Sequence, residues 1–518
     1  MGKVRAWLLL AVVCTLTASA QAGDWPQWGG TDAKNMMSEE RGLPDFFDPG
    51  KLSRRGEYDL SAAKNVKWIA RLGTQTYGNP TVAGGRVFVG TNADLPERPA
   101  KGKKCGGAVL CFEEATGKRL WQLVIPRLIT DKPNFNFDDL SLGVCSSPRV
   151  EGERLYLVSN RCEVLCLDVN GMANGNDGPF TDEAKFMVNP GDPSETVGPT
   201  DGDVIWKFDM LTEAGVQCWP QDAADCSILI RGDYLYVGTS NGVDRSHKII
   251  QRPKAPSLIV LDKRTGKLVA VDDAHIGPRI LHGEWSSPAL ATIEGKDQII
   301  YGGGDGVCYG FDPEPVDGGD GKKVLKTVWS FDCNPPERRV KDGAPVKYPS
   351  KNSASEIIAT PVVYKNRVYV GVGQDPRHGK GVAGLVCIDA TKRGDITKTG
   401  QIWAYDKIGR TLSTVSIMDG LLFVGDFHGI LHCLDAETGQ VYWTHDTGSP
   451  LWSSTLAADG KVYLGTESGQ LLVMAATKER KMLNKIELDN KIYTTPIVAN
   501  GVLYVTTQSH LYAVKRGK

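Results

Sequence analysis

The chain has 518 residues, 41% of them hydrophobic, enough for a large core in one repeat-built domain or several separate ones. Its 60 basic and 61 acidic residues leave a formal charge of -1, which excludes nucleic acid or an anionic membrane as a general electrostatic partner. Fifty-nine glycines, with no sustained helical period after the N-terminus, point to many turns and short strands.

The first 22 residues have the order of a secretory signal peptide. Lys3 and Arg5 precede the apolar run WLLLAVVC, and small residues follow at Ala18, Ala20 and Ala22. Cleavage is expected after Ala20 or Ala22, and a lipidated Cys14 is disfavoured by the two valines before it. No later stretch reads as a membrane span, so the expectation is an exported protein, secreted or periplasmic. Residues 23–64, opening on DWPQW and then rich in Gly, Pro and Asp, read as an extended arm on the surface, with Trp25 and Trp28 packed against the body.

From Asn65 to Lys518 one pattern recurs. Its clearest copy is Met418 to Trp443, MDGLLFVGDFHGILHCLDAETGQVYW, in which alternating apolar runs are broken at Asp-Gly, His-Gly and Thr-Gly: strand, turn, strand, turn, strand. Eight copies follow one another. The last lacks its closing tryptophan strand, and the isolated NVKWIARLG near the N-terminus is such a strand without a copy. Each completes the other if the array closes. The expected fold is therefore all-β, an eight-bladed β-propeller of four-stranded antiparallel blades closed by the N-terminal strand; seven blades is the alternative.

Cys111, Cys166, Cys308, Cys387 and Cys433 align at one third-strand position and read as buried small hydrophobes. Cys218 and Cys226, which flank a loop, are the best disulfide candidates. Gly238 to Gly242 satisfies G-x-S-x-G around Ser240, but no helix follows to make a nucleophile elbow. The insertion Asp168 to Glu183 is rich in oxygen ligands and departs from the EF-hand template, so a solvated loop is its default reading.

The runs VFVG with FEEATGKRLW, YVGTSNG with LIVLDKRTGKLV, LFVGDFHG with LHCLDAETGQVYW, and VYLGTESG resemble the pyrroloquinoline quinone (PQQ) enzyme repeat. The resemblance covers nearly all of the chain after the arm. It implies one of two functions, because the repeat builds quinoprotein dehydrogenases and also non-catalytic periplasmic propellers such as the outer-membrane-protein assembly lipoprotein. In the dehydrogenases, a G-T-G-N segment gives an asparagine to the calcium ion that polarises the quinone, and Asn241 matches it. Glu163 is the nearest match to the second calcium ligand, and Glu284 stands where the catalytic aspartate would be. The vicinal cysteine pair and the C-x-x-C-H haem motif of that family are missing.

The reading carried forward is an exported binding or scaffolding module without a cofactor, with a role in envelope protein assembly implied by the resemblance. A PQQ- and calcium-dependent alcohol, sugar or polyol dehydrogenase is the alternative. His282, Trp285 and Trp452 begin inner strands and are expected to ring the funnel mouth, where a protein segment or a small polar ligand would bind.

Overall fold

The computed structural model describes residues 23–97, 105–319, 321–378 and 383–517; the signal-peptide reading lies outside the described residues. Eight antiparallel sheets surround one axis. In the sixth blade the strands are Ser416–Met418, Leu421–Gly425, Ile430–Asp435 and Val441–Asp446. The eighth blade is composite: Ile497–Ala499, Val502–Thr506 and His510–Val514 take Val66–Arg71 as their outer strand. The ring closes as the orphan tryptophan strand predicts. Among the described residues no helix is long and apolar enough to cross a membrane.

The repeat owes its Thr-Gly and Trp to blade docking. A tryptophan on the outer strand lies against the Thr-Gly turn of the next blade, so a Cβ on Gly117 would fall 2.5 Å from Trp68, and one on Gly439 would fall 2.7 Å from Trp403. Only glycine, itself at positive φ in both turns, lets the indole lie so close. The indole N–H then donates across the seam, from Trp403 Nε1 to Ala436 O at 3.2 Å and from Trp443 Nε1 to Thr477 O at 2.9 Å.

Cys111, Cys166, Cys387 and Cys433 each pair with the blade's tryptophan at the same register, just before a bulge. Cys308 departs from the expected alignment. Gly310 faces Trp329, and Cys308 lies two residues earlier, opposite Phe331. A shift of two keeps the same sheet face, so Cys308 is buried like the others.

A belt of side chain to backbone bonds holds the ring at its axis. The residue two positions before each inner strand offers a side-chain oxygen to the backbone N–H of the preceding blade: Ser147 to Asn79, Ser227 to Ser147, Ser287 to Ser227, then Thr360, Thr414, Ser454 and Thr495 in turn. Asn79 closes it, its Oδ1 accepting from Thr495 N at 3.0 Å and its Nδ2 donating to Thr495 O at 2.9 Å.

The N-terminal arm stays exposed over most of residues 51–64, but its first half does not lie on the outer surface. It runs round the far end of the axial channel and bonds the inner strands in ring order. Gly23 O accepts from Asn500 N, Trp25 exchanges two bonds with Val82, and Pro26 O accepts from Val150 N. Asp32 O then accepts from Leu290 N, Ala33 O from Val363 N and Met36 O from Ala457 N. Met37–Ser38 adds a parallel strand to the seventh blade. Trp25, Met36, Leu43 and Phe47 are buried in the core, as is Lys34, whose Nζ donates to Gln27 Oε1 at 2.8 Å.

Candidate functional site

Ring closure leaves a cavity of about 210 Å³ on the axis. The belt hydroxyls form its waist, and Trp28 from the arm forms its floor, where Trp28 Nε1 donates to Thr360 Oγ1 at 3.0 Å. Two residues before each belt position, the inner-strand starts make an upper ring that includes Tyr77, Asp225, Trp285, Trp452 and Tyr493.

The walls differ in character. On one side Trp452 packs on Tyr493 with ring centres 5.0 Å apart, and Tyr493 on Tyr77 at 5.3 Å. On the other side stand Asp222, Asp225 and Asp375, with Arg377 at the mouth. Burial pushes the Asp225 carboxyl up to about 6, and the nearby Asp222 and Asp375 push the same way, while contact with the Cys145 thiol opposes them. Asp222 is raised for the same first reason, burial. Aromatic faces opposite carboxylates suit a cationic group.

The inner-strand rule places Trp285 and Trp452 in the lining as expected. Trp285 is anchored by its indole N–H, which lies 3.2 Å from Gln221 O and 3.1 Å from Ala223 O. Trp452 Nε1 donates to Glu467 Oε2 at 3.0 Å. His282 packs edge-on to Trp285, 5.1 Å between ring centres, and belongs to a group of three imidazoles just behind the rim, with His247 and His378. Sequence reasoning did not find His247, His378, Asp222, Asp225, Asp375 or Trp28. Only Asp225 shares a signal with the residues it did find, the start of an inner strand.

The three residues matched to the dehydrogenases are held in different ways. Glu163 is neutralised by Lys207 at 3.0 Å and Arg161 at 3.5 Å. Asn241 spends its amide within the third blade, with Oδ1 accepting from Trp219 N at 2.8 Å and Nδ2 donating to Arg252 O at 3.1 Å. Glu284 is wholly buried beside Ser257, Gly304, Asp272 and Asp305. A glutamate paired with two cations and an asparagine with both amide ends occupied do not fit a shared calcium ion.

Cys218 has Cys162 as its sulfur neighbour, 3.8 Å away, whereas Cys226 Sγ accepts from Gly238 N at 3.1 Å. The three cysteines are free, and Cys162 is the sulfur beside Cys218. Ser240 is wholly buried at φ 58°, sealed from any substrate. Asp168 and Asp177 of the insertion and Asp203, just before the blade's outer strand, bring carboxylate oxygens within 4.8 Å of one another, with Asp168 also paired to Arg154 at 2.8 Å.

A family model described as outer membrane protein assembly factor BamB matches residues 334–445, in the fifth and sixth blades. A protein of that description from Shewanella oneidensis is 33% identical over 76 residues, 14% of this chain and 19% of the relative. One from Burkholderia pseudomallei is 32% identical over 111 residues, 21% of this chain and 28% of the relative. The matches thus span less than a third of either relative's length. Among solved structures, BamB from Moraxella catarrhalis has a TM-score of 0.52 at 12% identity, covering 87% of this chain and 99% of that one. A europium-containing methanol dehydrogenase has a TM-score of 0.58, also at 12% identity, covering 96% and 98%. Together with the repeat, these matches make the chain a PQQ-like β-propeller, and identities this low speak for the fold alone.

Proposed function

We infer that this PQQ-like propeller is an exported binding module that takes extended polypeptide across its open face, with a basic side chain entering the axial cavity. The observation that carries the reading is the cavity itself: blind at one end because Trp28 floors it, aromatic on one wall and acidic on the other. A lysine or arginine stem would pack on Trp452, Tyr493 and Tyr77 while its charged head meets Asp225 and Asp375. Local similarity to outer-membrane assembly factors supports a client that is itself an envelope protein.

Isothermal titration with short flexible peptides that differ only in one central Lys, Arg or Glu tests this. Binding of the Lys and Arg peptides, lost in the Asp225→Asn, Asp375→Asn double variant, is expected. Equal affinity for the Glu peptide, or no binding of any peptide by the folded protein, would overturn it.

A further inference from the structure

Among the described residues three histidines pack against one another, with Asp375 4.0 Å from His378 as their nearest printed carboxylate. His432 and His510, the other wholly or nearly buried imidazoles, each bond an aspartate: His432 Nε2 to Asp426 at 3.1 Å and His510 Nδ1 to Asp489 at 2.6 Å. His247, His282 and His378 come from three separate segments: the loop after the second strand of blade three, the opening of blade four, and the loop after the second strand of blade five. Ring centres lie 5.0 Å apart for His247 and His282, 4.2 Å for His247 and His378, and 4.3 Å for His282 and His378. Only ring closure brings such distant segments together.

Three details point to a ligand. One nitrogen from each imidazole lies within 4.8 Å of the others. Four-coordinate zinc with Zn–N of ~2.1 Å would hold its nitrogens ~3.4 Å apart, so small side-chain rotations reach that geometry. His282 is wholly buried, and its Nε2 faces into the group, 2.9 Å from His247 Nδ1. His247 holds a left-handed backbone at φ 56°, a conformation that costs a non-glycine residue free energy and recurs where a side chain must be aimed.

We propose that His247, His282 and His378 form a three-imidazole site for a divalent late transition cation of the zinc class. Imidazole suits such ions, while calcium and magnesium prefer oxygen. Three ligands leave a fourth coordination position, as in zinc sites that hold water or a substrate atom. Asp375, whose Oδ1 lies 4.0 Å from His378 Nε2, also lines the axial cavity, so the ion would sit beside the ligand pocket. The site stands on these three side chains whether or not the cavity takes a peptide.

The test uses the full exported chain after chelator treatment, titrated calorimetrically with Zn²⁺ and separately with Mg²⁺, and with Co²⁺ followed by its visible absorption. One equivalent of Zn²⁺ at micromolar affinity or tighter, no Mg²⁺ isotherm, and an intense tetrahedral Co²⁺ band are expected. Both should vanish in His378→Ala and in His247→Ala, which alter half-buried side chains on loops, with circular dichroism unchanged. A His445→Ala control, away from the cluster, should bind as the parent does. The proposal fails if the parent shows no Zn²⁺ isotherm and no Co²⁺ band, or if both single variants retain them.

Discussion

Trp28 and Thr360 are separated by 332 residues in sequence and joined by one hydrogen bond at 3.0 Å, indole N–H to hydroxyl. Thr360 also accepts from the backbone N–H of Ser287, so one oxygen serves both the belt and the plug. The floor of the cavity and the closure of the ring are thus a single construction. Trp28→Ala should lower unfolding free energy by ~3 kcal/mol, as for large-to-small changes at packed aromatics. It should also weaken Lys-peptide binding, measured by urea denaturation and calorimetry on the same sample. Peptide affinity equal to the parent's would place the ligand elsewhere.

Asn79 carries the seam between the eighth and first blades on both ends of its amide. Asn79→Ala removes an acceptor and a donor, leaving two buried backbone groups of Thr495 unpaired, at ~1–3 kcal/mol each. Ser454→Ala removes only an acceptor and should cost about half as much. Amide hydrogen exchange distinguishes the two. Asn79→Ala should accelerate exchange in the eighth blade ahead of the rest, since that blade depends on strands from both ends of the chain.

The blades were legible because a repeat states its own period: FVGD, LHCLD and ETGQVYW recur with residues whose steric purpose is local. Cys308 was misaligned because GVCYGFD contains two small residues, and only Trp329 across the ladder shows that Gly310 fills the shared position. The arm has no period. It bonds the blades through its backbone, so its side chains do not announce the pairing. The site was half legible for a related reason. Trp285 and Trp452 follow from the start of an inner strand, whereas Asp222, Asp375, His247 and His378 lie in loops whose convergence is set by the ring and not by neighbours in sequence.

Cys162 and Cys218 hold their sulfurs 3.8 Å apart across 56 residues. In an oxidising compartment they should form the disulfide in place of Cys218 with Cys226. Peptide mapping without reductant should find the Cys162 and Cys218 peptides linked and Cys226 free. Chain-entropy arguments give such a loop about 4 kcal/mol, so the Cys162→Ser, Cys218→Ser double variant should unfold at lower urea than the oxidised parent.

Lys34 is the buried cation of the arm. Burial lowers its ammonium to about 7, with Asp32 opposing and Arg149 adding to the shift. Above that value the folded chain has released a proton that the unfolded chain keeps until its ordinary value of 10.5, so stability rises with pH across that window. The slope is at most ~1.4 kcal/mol per pH unit for one group. Lys34→Met keeps the aliphatic stem and should flatten the rise between about pH 7 and 9, read from urea midpoints. An unchanged slope would mean that the ammonium remains charged in the fold.

Glu284 tests which of the two functional classes implied by the repeat this chain follows. Burial first, then Asp272 and Asp305, push its carboxyl well above the usual range, so the folded state keeps the proton to higher pH than the unfolded chain does. The unfolded chain loses that proton near the ordinary value of 4.5, and from there upward the group makes stability fall as pH rises. Glu284→Gln replaces a neutral acid by a neutral amide of the same shape. It should match the parent below about pH 4.5, where both side chains are neutral folded and unfolded, and remove the decline above it, so that the variant gains on the parent as pH rises, measured by urea unfolding on both sides of that value. A carboxylate serving as base or cation ligand would behave oppositely, because the amide could neither accept a proton nor neutralise the ion. Loss of several kcal/mol in Glu284→Gln, restored in the parent alone by Ca²⁺, would therefore assign the residue a charged role and return the dehydrogenase reading to the front.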